Sequence, residues 1–141
     1  MFSQNRDQLR QFYHTVWLKM QSPQTLSALE QSVAQVIQMH PEYHAVFEKK
    51  THLEQEYFVE LGDTNPYLHM GLHLSLHEQI STDRPAGIRD VYQQLLQKVG
   101  DSHKAEHEMM EALAEALWQA QRDNLPPSET RYLEALQALL N

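Results

Sequence analysis

Cysteine is absent from the chain. That excludes disulfides, thiolate-held metals, iron–sulfur clusters and cysteine nucleophiles together. Glycine is nearly as scarce, with four among 141 residues, and no phosphate-cradling loop or Gly-x-Ser-x-Gly elbow is present. Positive charge is also short. Eleven lysines and arginines stand against 19 acidic residues, a net charge of −8. Such a balance speaks against nucleic acid or an anionic membrane as partner. No apolar run approaches membrane length, and the opening "MFSQNRDQLRQF" lacks an apolar signal core. The expectation is a cytoplasmic protein forming one domain over residues 1–141, long enough to bury most of the surface its unfolded chain exposes.

Histidine is what the chain has in excess: nine, scattered rather than consecutive. Their setting is helical. Leu9, Phe12, Tyr13, Val16, Trp17 and Met20 recur at three- and four-residue steps, one apolar helix face ending near Gln21. Ser22-Pro23 reads as a cap with proline at the first position of a second helix, whose face is Leu26, Leu29, Val33, Val36 and Ile37. Pro41 disfavours helical geometry at His40 and so ends or kinks that helix. A short helix over roughly 41–49 follows, and residues 50–64 read as irregular. Asn65-Pro66 opens the next helix. "TDRPAGI" opens another, with Asp83 as cap, and Gly100 ends it. Asp101 or Ser102 caps a long helix to about Asp123, "NLPPSE" breaks it, and Tyr132, Leu133, Leu136, Leu139 and Leu140 mark the last. The fold class is all-α, a helical bundle of five to six helices with one irregular connection around residues 50–64. The stripes containing Trp17, Trp118 and the methionines read as core.

Within "NPYLHMGLHLSLHEQI", His69, His73 and His77 are four apart, so they drift by about 40° per step around a helix. They lie inside the apolar stripe, where an imidazole without a partner is costly. A backbone carbonyl or buried carboxylate would satisfy any one of them. The pattern recurs, however: His103, His107 and Glu111 are again four apart, and His40 and His44 flank Pro41. Paired His/Glu ligands on facing helices are how bundles hold metals in their cores. The expected metal ligands are therefore His40, His44, His69, His73, His103, His107 and Glu111, around one ion or two. Imidazole and carboxylate without sulfur favour iron or zinc, with manganese or nickel also compatible. Glu106, Glu56 or Glu60 could add carboxylates. Glu78 falls on the far face, suited to pairing with Arg84 or Arg89, while His14 and His52 read as solvated. His77 ranks below His69 and His73, as a ligand, an outer-shell group or an edge residue, although "HLSLHEQ" resembles the His-x3-His-x-x-Gln ending of DinB-type metal bundles.

"HPEYH", "TNPYLHMGLHL", "RPAGIR" and "HKAEHEMMEALAEALWQAQR" together resemble the small bacterial domain-of-unknown-function family eighteen forty-one, mostly proteobacterial, over nearly the whole chain. The resemblance implies a stand-alone cytoplasmic protein and assigns no activity. Its motifs fall on His40, His44, Asn65, Pro66, His69, His73, His107 and Glu111, whereas the position of His77 varies.

Three functions are open at this point. The first is a metal-binding bundle with a buried His/Glu site, di-iron or single-ion, oxygen- or redox-related. The second is a DinB-like single-metal hydrolase or transferase. The third is a metal-free interaction module whose buried histidine network titrates near neutral pH. No catalytic residue independent of the ligands can be named. A homodimer is compatible with the sequence; a small-molecule or protein partner is unidentified.

Overall fold

The computed structural model describes residues 2–22, 24–48 and 65–141, with side chains from Asp7 onward. The expected irregular connection, together with His52, Glu56 and Glu60, lies outside them. Every regular element described is helical. Among the described residues seven α-helices appear, where five to six were expected: α1 (Phe2–Met20), α2 (Ala28–Gln38), α3 (His44–Glu48), α4 (Pro66–Thr82), α5 (Ile88–Val99), α6 (Ser102–Asp123) and α7 (Glu129–Ala138). The short helix expected over 41–49 is a 3-10 turn over Pro41–Tyr43 running into the five-residue α3. None of the described helices is long and apolar enough to cross a membrane.

Two starts differ from expectation. The second helix begins at Ala28, not at Ser22-Pro23. Ser27 accepts from the Glu30 backbone N–H while the Glu30 side chain accepts from the Ser27 N–H, a reciprocal capping box. The fifth begins at Ile88, three residues after Pro85. Asp83 is still its organiser, accepting from the backbone N–H groups of Gly87 and Arg89. Gly87 meanwhile adopts a left-handed φ of 102°. Gly100, at φ 81°, closes α5 as expected.

The backbone contacts divide the chain into two compact units, Met1–Gly71 and Leu72–Asn141. In the first, Tyr13 and Val16 of α1 and Val33, Val36 and Ile37 of α2 are buried. Trp17 stacks on Phe47, and Tyr13 and Phe47 each meet Tyr67 edge-on. Leu9 and Leu29, expected in the core, are 49% and 58% exposed. The inward position beside Leu9 goes to Arg10, whose guanidinium lies 4.8 Å from the centre of the Tyr67 ring.

The second unit packs Leu76 against Ile88, Val91 and Leu95 of α5, Ala105, Met109, Met110 and Leu113 of α6, and Tyr132 and Leu136 of α7. Fully burying each large aliphatic here stabilises by about 1.5–3 kcal/mol. Tyr132 also donates its hydroxyl proton to Gln79 Oε1 at 2.7 Å, so its buried polar end is satisfied. The buried positions of α6 stop at Leu113. Trp118, expected as core, lies beyond that point and is 54% exposed under the Arg122 guanidinium.

Candidate metal centre

In the second unit, four imidazoles and one carboxylate converge. His73 and His77 come from α4, His103, Glu106 and His107 from α6. Asp101 starts α6 by accepting from the His103 backbone N–H, which fixes where that helix's histidines begin. His73 is fully buried and Glu106 is 5% exposed. Around the His73 ring stand His77, His107 and His103, with centroids at 4.6, 5.7 and 6.0 Å. His103 and His107 are themselves 4.0 Å apart.

Glu106 holds the group together. The Nε2–H of His73 donates to its Oε1 at 2.7 Å, and the Nε2–H of His77 donates to the same oxygen at 2.5 Å. Its other oxygen, Oε2, accepts from the Tyr92 hydroxyl of α5 at 3.0 Å. Burial alone would raise the Glu106 carboxyl. The hydrogen bonds from His73 and His77, the charge of His77 and the Tyr92 hydroxyl outweigh that and hold it well below the usual carboxylate range. Glu106 is thus an ionised, acceptor-only group inside the unit. Tyr92 answers in kind: burial first, then the charge and hydrogen bond of Glu106, push its phenol up to about 12.

One ligand atom from each of His73, His77 and Glu106 lies within 4.8 Å of the others, and His73 and His107 likewise offer ring nitrogens within 4.8 Å. Two imidazoles and one carboxylate are a recurring ligand set for catalytic zinc and for non-haem iron(II). Ligand atoms about 2.0–2.2 Å from a zinc ion stand roughly 3–3.5 Å apart. The two N–O separations, 2.7 and 2.5 Å, are about 0.3–1 Å short of that spacing, so an ion would enter only as the two Nε2–H protons leave and the side chains move apart.

The first unit gathers a smaller set. The Nδ1–H of buried His40 donates to the Val36 carbonyl at 2.8 Å. A backbone carbonyl on one ring nitrogen is the contact that fixes ring orientation in metal-binding histidines. His69 meets His40 edge-on, with centroids 4.9 Å apart and ring nitrogens within 4.8 Å, and Tyr43 borders both rings. His44 has another occupation: its Nε2–H donates to the Ile37 carbonyl at 2.9 Å while its ring packs on Trp17.

Residues 5–138 match the family described as Domain of unknown function (DUF1841). The chain belongs to that family. No curated protein and no solved structure matches it.

Several positions differ from expectation in this DUF1841 chain. Glu111, expected among the ligands, is exposed on α6. The carboxylate among the histidines is Glu106, which the sequence offered only as an addition. His77, ranked below its two neighbours, bonds that carboxylate directly. His14 is half-buried rather than solvated. Arg89, a candidate partner for Glu78, donates instead to the Ile80 and Ser81 carbonyls at the end of α4. Tyr92 was legible only as part of an apolar face; its partner, Glu106, belongs to another helix, and no spacing in the sequence marks that pairing.

Proposed function

We propose that this protein binds a transition-metal ion through His73, His77 and Glu106, with His107, and beside it His103, as further imidazoles. The observation that carries this reading is the convergence of two imidazole nitrogens on one buried carboxylate oxygen, among buried residues that are otherwise hydrophobic. Zinc or iron suits a set of nitrogen and oxygen donors, with manganese and nickel next. An ion held by three protein groups retains open positions, where it supplies Lewis acidity or activates water or dioxygen. Hydrolytic, oxygen-binding and redox roles all start from such a centre. His40 and His69 of the first unit belong to the same proposal as imidazoles placed to ligate, two donors that need others to complete a set. His44 and Glu111 are its weakest members, since one is engaged by the backbone and the other faces solvent. A cytoplasmic setting and a homodimeric state remain part of the reading.

Elemental mass spectrometry on untagged protein tests it, with His73→Ala and Glu106→Ala alongside. Near-stoichiometric iron or zinc that both substitutions abolish is the expected result. A protein that arrives without metal and takes up none of iron, zinc, manganese or nickel refutes the proposal.

One observation favours a second reading. The three groups are already mutually satisfied by hydrogen bonds, so a metal-free polar network that fixes the packing of α4, α5 and α6 is chemically complete. Thermal unfolding with and without chelator separates the two. Bound metal stabilises the native state in proportion to occupancy, and its removal lowers the midpoint by several degrees. An unchanged midpoint supports the network.

A further inference from the structure

Tyr92 stands outside every ligand set described above. It belongs to α5, which contains no histidine, and its ring packs against the apolar cluster of the second unit. Its hydroxyl nevertheless donates to Glu106 Oε2 at 3.0 Å, while both imidazole contacts go to Oε1. The two oxygens of one carboxylate are therefore assigned different tasks. Oε1 faces the imidazoles, and Oε2 is held by a phenol anchored in the core.

We infer that Tyr92 is a positioning residue for the metal centre: it holds Glu106 so that the carboxylate meets an ion through Oε1 alone. The inference rests on the metal reading above and deepens it. A carboxylate with both oxygens unengaged can chelate one ion with the pair, using two coordination positions. With Oε2 engaged by the phenol, one position is used and the other stays open for a water or a small exogenous ligand. The hydroxyl also fixes the rotation of the carboxylate plane, the kind of outer-shell contact whose loss costs about 10–100-fold in metal affinity. Because Tyr92 sits on a third helix, the bond ties the ligand geometry to the packing of α5, whose Val91 and Leu95 are buried on either side of it in sequence.

The test uses the full chain and cobalt(II), whose visible absorption reports coordination number and geometry. Binding is measured for the unsubstituted protein, for Tyr92→Phe, for Tyr92→Leu and for His73→Ala, with circular dichroism recorded on each. The expected result is cobalt binding roughly tenfold weaker in Tyr92→Phe, with a changed visible band. Tyr92→Leu should show a similar loss of affinity, because both variants lack the hydroxyl. A Tyr92→Phe protein that binds within threefold of the unsubstituted chain with an identical spectrum overturns the inference, and leaves the metal reading standing if His73→Ala abolishes binding. Affinity lost only in Tyr92→Leu assigns the effect to ring packing and overturns the inference as well. An unsubstituted protein that takes up no cobalt overturns both. If Tyr92→Phe loses its helical content, the hydroxyl serves the fold rather than the ligand, and the inference is overturned.

Discussion

Replacing Glu106 by alanine in metal-free protein removes the acceptor of three hydrogen bonds in one step. Two of the donors are poorly placed to find another. The His73 ring is fully buried, and the Tyr92 hydroxyl points inward at Glu106. His77, whose side chain is 25% exposed, can turn its N–H to water. Each buried donor left unsatisfied costs about 1–3 kcal/mol. The space vacated by the carboxylate is polar and admits a water that recovers part of this. The net destabilisation should be about 2–4 kcal/mol. Glutamine at the same position keeps the volume. Its carbonyl oxygen can accept from His73 while its amide donates to the Tyr92 oxygen, so the change replaces charge-assisted bonds by neutral ones at a cost of about 1–2 kcal/mol. Glu111→Ala, on the exposed face of the same helix, should stay within about 0.5 kcal/mol of the parent. Urea unfolding followed by circular dichroism at pH 7, with chelator present, measures all three. The expected order is parent and Glu111→Ala together, then Glu106→Gln, then Glu106→Ala. A Glu106→Ala protein as stable as the parent would mean that the buried carboxylate contributes nothing its donors cannot obtain elsewhere, and the reasoning would fail.

Two further expectations concern the first unit. Ser27→Ala removes one arm of the capping box of α2 and should cost about 0.5–2 kcal/mol, read as a lower urea midpoint with an unchanged slope; no change would mean the start of α2 is held by packing alone. Tyr13 is 1% exposed, and burial pushes its phenol from 10 up to about 12. The folded pKa is raised, so the stability linked to Tyr13 is complete below pH 10 and is lost as pH rises from 10 to about 12. The loss over that window is about 2 kcal/mol. A Tyr13→Phe variant that loses as much stability between pH 9 and 11 as the parent would refute the assignment.

Most of the helical layout was legible because local chemistry decides it. Pro41, Asn65-Pro66, Gly100 and Asp101 act within one turn of themselves, and each marks a boundary that the structure keeps. The two misplaced starts were contests between local signals. Ser22-Pro23 is a good cap in isolation, but Ser27 with Glu30 three residues later satisfies two backbone donors instead of one. Asp83 was read as the cap of α5, but the cap position falls at Gly87. What Asp83 organises is a longer loop, because its carboxylate reaches the backbone of Gly87 and Arg89, and only coordinates show such a reach. The exposed Leu9, Leu29 and Trp118 illustrate a different limit: periodicity identifies an apolar face without saying how far along the helix its cover extends.

The candidate site shows how a four-residue spacing leaves the buried face of a helix. A row spaced by four turns outward about 40° per step. On α6, the buried residues Ala105, Met109, Leu113, Glu106 and Met110 share one continuous arc of the helix surface. His103 and His107 sit at the rim of that arc, and Glu111, a further step of about 40° on, has left it. Glu106 lies inside. The carboxylate that accompanies the histidines is therefore the one that breaks their spacing, since it must fall on the buried side of the rim they define. On α4 the same drift works the other way. His73 is the buried centre of its row, with His69 and His77 one step to either side and partly exposed. The row's outer member thus reaches the buried carboxylate from the solvent side. His77 is the partly exposed one of the two histidines on Glu106.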